Sequence, residues 1–260
     1  MATKSHARTA GPAKPAAKPA KSKGRKPEPK PSRVAGSTAK IGASSNAFAA
    51  RDKKYSEIFG AVFPKGRVFD SAGEAITLQA GAQLDVCFAQ YAPTPERMSW
   101  VYASHGLSQK AKNKESRLEL MLHCRERDAS AVRILMNTAR YMLESGNPLK
   151  PGDLLSSTQI ADPGLTGLPH WIVAEPEKSI PEQLDLILLL GVSDAEMQVA
   201  LKVNPELADG RRVLLEALRV GGVFPVTDSK RTCLTRRRDF HRLWECAFRT
   251  VRENPAKAKA

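Results

Sequence analysis

The first 45 residues limit everything the chain can build: after Met1, only Val34 and Ile41 are large apolar side chains in a stretch made mainly of Ala, Lys, Pro, Ser and Gly. Such a segment buries too little surface to offset its ordering entropy, so residues 1–48 are expected to form a disordered arm. Any core belongs to the roughly 200 residues that follow, a length that buries about 70% of the surface it would expose unfolded. The net charge of +14 is just as uneven. Residues 1–50 carry eleven Lys and Arg against Glu28, which places +10 there and leaves +4 for the remainder.

Four cysteines, Cys87, Cys124, Cys233 and Cys246, are too few and too far apart for a disulfide framework, and no Cys-x-x-Cys suggests a zinc knuckle. A reducing cytoplasm is the expected compartment. The longest apolar run, Leu184–Val192, contains Asp185 and falls far short of the ~20 residues of a membrane span. The N-terminal lysines are interleaved with Pro and Ala and lead into no apolar core, so they do not form a secretory signal, and the prolines would break the helix of a transit peptide.

From Tyr55 the pattern changes. Tyr55, Ile58, Phe59, Val62 and Phe63 recur at helical spacing and stop at Pro64. Leu84–Ala89 alternates as a half-buried strand, Pro93-Thr94-Pro95 turns it toward a second strand at Met98–Ala103, and Arg117–Cys124 makes a third. A helix follows, with Asp128 as its N-cap, an apolar stripe from Val132 to Leu143, and Gly146 then Pro148 as its stop. Residues 146–169 read as a long ordered loop packed through Leu154, Leu155, Leu165 and Leu168. Trp171–Val173 reads as a short strand and Leu184–Leu190 as a central one covered on both faces, with a turn at Gly191. Ser193 and Glu196 form a capping-box pattern, Asn204-Pro205 opens a further helical segment that Gly221-Gly222 ends, and Val223–Val226 reads as an edge strand. Arg236–Arg252 is a last amphipathic helix.

Catalytic patterns are missing. Ser104-His105 and Ser108 invite a hydrolase reading, but Ala103-Ser104-His105-Gly106 is not a Gly-x-Ser-x-Gly elbow. Cys124 and His123 are neighbours on a strand and point to opposite faces, so they cannot act on each other. The five histidines fall singly, phosphate-loop and dinucleotide fingerprints are absent, and neither metal nor cofactor is implied. Two basic clusters invite binding instead. Lys21, Lys23, Arg25 and Lys26 put four charges in six residues, suited to sequence-blind contact with phosphates or simply to solubility. Arg236-Arg237-Arg238 sits where positive charge opposes a helix dipole, which asks for an anion, a carboxylate of the same chain, or plain solvation.

Taken in order, these elements resemble the suppressor of fused family over about Leu84 to Arg231. The carrying residues are Tyr91-Ala-Pro93-Thr94-Pro95-Glu96-Arg97, the turn Ser104-His-Gly106-Leu-Ser108, the strand Arg117-Leu-Glu119-Leu120-Met-Leu122, the strand Leu184–Leu190, and Ser193-Asp194-Ala-Glu196-Met197 followed by Arg212–Leu218. A departure is Gly146-Asn147-Pro148-Leu149, where the family has a Gly-His-Thr-Ile-like loop. The resemblance implies an α/β sandwich with a mixed sheet and helices packed on it, and no enzymatic activity; the domain is read as spanning 49–253, followed by a basic tail at 254–260. It also implies a protein partner, a regulatory protein or, as in bacterial members thought to be immunity proteins, a toxin. Trp100, Trp171, His170 and Asn147 are the residues placed on that partner surface, the two tryptophans being either exposed anchors or plain core residues, with Val223–Val226 as an edge open to strand addition. The other reading is a nucleic-acid-associated protein that binds phosphate through its arm.

Overall fold

The computed structural model describes residues 53–60, 76–77, 83–84, 86–110, 118–177 and 185–254. All of them belong to the unit Ile41–Ala260, one of two into which internal contacts divide the chain. The expected disordered arm, with Lys21, Lys23, Arg25 and Lys26, lies outside the described residues, as do Val62 and Phe63 of the first helix.

A short helix, α1 (53–59), comes first. Strands β1 (Ile76–Thr77) and β2 (Gln83–Leu84) form a separate antiparallel pair. The main sheet contains β3 (Cys87–Tyr91), β4 (Trp100–His105), β5 (Glu119–Cys124), β6 (Leu154–Leu155), β7 (His170–Ala174) and β8 (Leu186–Val192), in the spatial order β3-β4-β5-β8-β7-β6. Only the β5–β8 pair is parallel, and the rest of the sheet is antiparallel. The helices are α2 (Leu107–Lys110), α3 (Ser130–Ser145), α4 (Asp194–Leu201), α5 (Gly210–Val220) and α6 (Phe240–Glu253), with a 3-10 turn at Leu234–Arg236. The expected α/β class with a mixed sheet and packed helices is what forms.

Strand periodicity sorts the core into two layers. Leu186, Leu188, Leu190 and Val192 face one side with Ile172, Met121 and Val101, where α1, α4, α5 and α6 pack. Ile187 and Leu189 face the other side with Trp171, Leu120, Leu122 and Tyr102, under α3 and the leucines of 146–169. A strand covered on both faces has no solvent side to signal, which is why β8 is a continuous apolar run rather than an alternating one.

Several boundaries differ from the sequence reading. The strand foreseen at Leu84–Ala89 is two elements, Leu84 pairing with Ile76 while β3 starts at Cys87 and pairs with β4. Gly191 is no turn but lies within β8, opposite Trp171, because a Cβ there would come within 2.8 Å of Thr227 Cγ2 and 3.2 Å of the Trp171 ring. The N-cap of α3 is Ala129, and Asp128 instead accepts the Ser130 N–H at 2.8 Å. The helix expected from Asn204 begins at Gly210, capped by Asp209. Val223–Val226 is a turn with a cis Phe224-Pro225 bond and not an edge strand, so strand addition there is withdrawn. Leu154–Leu155, read as loop, is the strand that closes that side of the sheet.

Candidate partner-binding surface

The segment 146–169 is irregular but firmly tied. Gly146 ends α3 in the left-handed conformation, φ 68°, and donates to Met142 O at 3.0 Å. Lys150 N–H donates to Asp153 Oδ2, and Gly152 N–H and Val173 N–H tie the loop to β7 at 2.8 Å each. Asp162 is buried, and its carboxylate accepts from Asn137 Nδ2 at 3.0 Å and Gly164 N at 2.8 Å beside Arg133 at 3.2 Å. Leu149, Leu155, Ile160, Leu165 and Leu168 are buried beneath it. Asn147, Lys150, Thr158, Gln159, Pro163 and Thr166 remain exposed on a backbone already ordered. An ordered surface has little entropy left to lose on binding, which is the physical advantage of preorganisation.

The four residues placed on this surface from sequence are not brought together. Asn147 is exposed at the start of the loop. Trp100 is half-buried at the start of β4 with the Arg127 guanidinium 5.9 Å from its ring centre. Trp171 has no exposed surface, so it is a core residue and offers no anchor. Its face in the sheet explains this, since β7 is sandwiched between α5 on one side and the 146–169 leucines on the other. His170 is also buried, with Nε2 2.7 Å from Oδ1 of the exposed Asp194 at the start of α4. Trp100 and Trp171 share a sheet face, but β5 and β8 lie between their strands, which at ~4.8 Å per strand separates them by roughly 14 Å.

The residues that invited a hydrolase reading form a lock around a buried acid. Glu119, with no exposed surface at the start of β5, accepts from Ser104 Oγ at 2.6 Å and Ser108 Oγ at 2.8 Å, and from the N–H groups of Gly106, Leu107 and Ser108 at 3.0–3.3 Å. Ser104 Oγ in turn accepts the Leu120 N–H at 2.8 Å. Both hydroxyl protons therefore point at a fixed carboxylate and are committed to structure. His105 is buried with Nε2 3.3 Å from the Tyr91 hydroxyl and its ring stacked edge-on to Tyr55. Burial, aided by the charge of Arg97, pushes the His123 pKa down to about 3, and burial pushes the Cys124 thiol up to about 12. A thiol held protonated is no nucleophile. The sequence signal for the lock was a glutamate inside Leu118-Glu119-Leu120-Met121-Leu122, because a charge among buried apolar neighbours must be given partners.

A second buried carboxylate, Glu196, organises the C-terminal part. It completes the capping box with Ser193 and also receives Arg231 Nη1 at 2.6 Å, Arg231 Nη2 at 2.7 Å and the Leu234 N–H at 2.7 Å. Burial by itself would raise its pKa, but the Arg231 hydrogen bonds and charge, with the Ser193 and Leu234 N–H groups, bring it below the ordinary carboxylate value. Arg237, one of the three consecutive arginines, is answered within the chain by Gly221 O and Asp239 and lies ahead of α6 rather than in it.

Among the described residues no cluster of His, Cys, Asp and Glu is arranged to hold a metal ion, and no helix is long and apolar enough to cross a membrane. A model of the suppressor of fused protein family matches residues 81–232, more than half of the chain. No curated protein matches it. The crystal structure of a suppressor of fused homolog from Neisseria gonorrhoeae FA 1090 shares the fold at a TM-score of 0.51 and 14% identity, covering 72% of this chain and 96% of that one. The Ser104–Ser108 turn, the Glu119 it encloses and the Glu196–Arg231 pair all fall inside the matched segment. The chain thus belongs to the suppressor of fused family.

Proposed function

We propose that this chain is an immunity-type protein of a bacterial cytoplasm that binds a cognate toxin and occludes its working surface. The observation that carries this reading is the 146–169 segment, a long surface loop whose backbone is fixed by hydrogen bonds and buried leucines while its polar side chains stay exposed. Long loops held on a rigid scaffold are where binding surfaces concentrate. A standard interface needs about 800 Å² per partner, an area this loop with the adjoining end of α3 can supply. Of the four residues placed from sequence, Asn147, exposed where α3 meets the loop, is the one that this area contains. The binding unit spans 49–253, with 1–48 and 254–260 as flanks.

The test is affinity capture from cells of the source organism by the full chain and by a chain lacking residues 1–45, eluted with a salt gradient. One protein retained by both at high salt is the expected result. Nucleic acid as the only retained material, and only on the full chain, would mean that the arm at Lys21, Lys23, Arg25 and Lys26 carries the activity, and would overturn the reading.

A further inference from the structure

Positive charge is distributed in a way that the interaction reading does not use. Within the family-matched residues 81–232 there are 17 Lys and Arg against 19 Asp and Glu. Residues 1–80 hold 16 against 5, and residues 233–260 hold 8 against 3. The family-matched segment is thus slightly acidic, and the cationic excess lies on either side of it. The C-terminal share has a defined shape. Arg242, Arg249 and Arg252 are exposed on α6 and, with Glu245, recur at intervals of three, four and three residues, which places them along one outward face.

These arginines are not spent on the fold. Among the described residues Arg249 and Arg252 have no ion-pair partner, and Arg242 reaches only to 4.0 Å from Asp239, whose carboxylate already holds Arg237 at 2.9–3.0 Å. Leu243 and Ala247 hold the opposite side of α6 in the core, so the face is rigidly presented. Trp244 and Phe248, half-buried, line a cleft beside Arg249 and Arg252 together with Glu245 and Glu253.

From this geometry we infer that the outward face of α6 is a phosphate-contacting surface for nucleic acid, with Arg242, Arg249 and Arg252 as its contacts and Trp244 and Phe248 at its edge. Ten residues of helix span ~15 Å, over which duplex DNA presents about nine charges, enough to meet all three arginines. A polyanion is favoured over an acidic protein because residues 1–45, which hold most of the remaining positive charge, are Lys/Ala/Pro-rich with almost no large apolar side chain, a composition that adds affinity only through charge. Guanidinium groups suit phosphate oxygens, which they bind through two parallel hydrogen bonds. The binding is sequence-blind and steeply dependent on salt.

The experiment is fluorescence anisotropy of a labelled 30-base-pair duplex with the full chain, with R242Q/R249Q/R252Q, and with E245Q, from 50 to 200 mM NaCl. Loss of three contacts should flatten the slope of log affinity against log salt by about 2.7, so that the wild type loses about 40-fold more affinity across that range than the triple variant. E245Q removes the acid from the middle of the face and should bind more tightly than wild type, a gain that no folding defect imitates. Equal slopes in wild type and triple variant, with E245Q unchanged, would overturn the inference, as would absence of duplex binding. Displacement of the duplex by polyglutamate as effectively as by unlabelled duplex of the same charge would assign the face to an acidic protein instead.

Discussion

Glu119 and Glu196 are both sealed from solvent in one domain, and the partners that the described residues give them differ in kind. Glu119 is encircled by hydroxyl and amide donors drawn from the five residues 104–108. Glu196 takes a guanidinium from 35 residues further along and an amide from 38 residues along. The first arrangement fixes a turn at the end of β4. The second ties the 231–234 segment to α4, and with it the 3-10 turn that leads into α6. Dipolar donors left without an acceptor cost less than a full charge left without its counter-charge, so the two sites should differ in how badly they tolerate truncation.

The largest effect is expected at the ion pair. Arg231→Ala strands Glu196 as a buried unpaired charge and should cost about 3–5 kcal/mol in urea unfolding, whereas the double change Glu196→Leu with Arg231→Met should recover most of it. A double variant no more stable than the single one would show that the pair is not acting through desolvation. At the other site Glu119→Gln keeps the shape but turns a donor toward donors, and a loss of about 2–3 kcal/mol is expected, with Ser108→Ala costing about 1 kcal/mol. If Glu119→Gln proved the more damaging of the two carboxylate-site changes, the comparison would be reversed.

Acidification separates the sites from the core histidine. His123 titrates at about 3 in the folded chain against 6.5 for the free side chain, so between those values the unfolded chain holds the extra proton. Stability should therefore fall by about 1.4 kcal/mol per pH unit as pH drops below 6.5, and His123→Leu should flatten that limb. Glu196, lowered in the folded state, contributes stability above the ordinary carboxylate pKa and loses it as pH falls through its folded value. The double variant at 196 and 231 should lack this lower limb. The smallest effect is expected at the surface, where Arg127→Ala removes the cation over Trp100 and should cost about 0.5–1 kcal/mol.

The periodic elements were legible because burial leaves a pattern. The apolar run of β8, the stripe and glycine stop of α3, and the capping box of α4 could each be read from neighbouring residues. What escaped was set by distant partners. Nothing near Glu196 announces Arg231, and nothing near Ser104 or Ser108 announces Glu119, so serines that resembled chemistry turned out to be donors to a fixed acid. Gly191 resembles a turn residue in sequence because the contacts that require a glycine there, Thr227 and Trp171, arrive from elsewhere in the chain. Trp171 can be read from sequence as an anchor or as core, and its cover, the leucines of 146–169, decides for core.

The most direct test of the account sets the surface of 146–169 against the lock behind it. A chain with Asn147, Lys150 and Thr158 changed to Ala, and a second with Ser104 and Ser108 changed to Ala, would be compared for retention of the protein that the wild type captures at high salt, alongside their urea midpoints. The account predicts that the loop variant loses the partner at unchanged stability, while the serine variant keeps the partner and unfolds earlier. A loop variant that still holds the partner, or a serine variant that loses it without losing stability, would contradict the division of the domain into a binding surface and a structural lock.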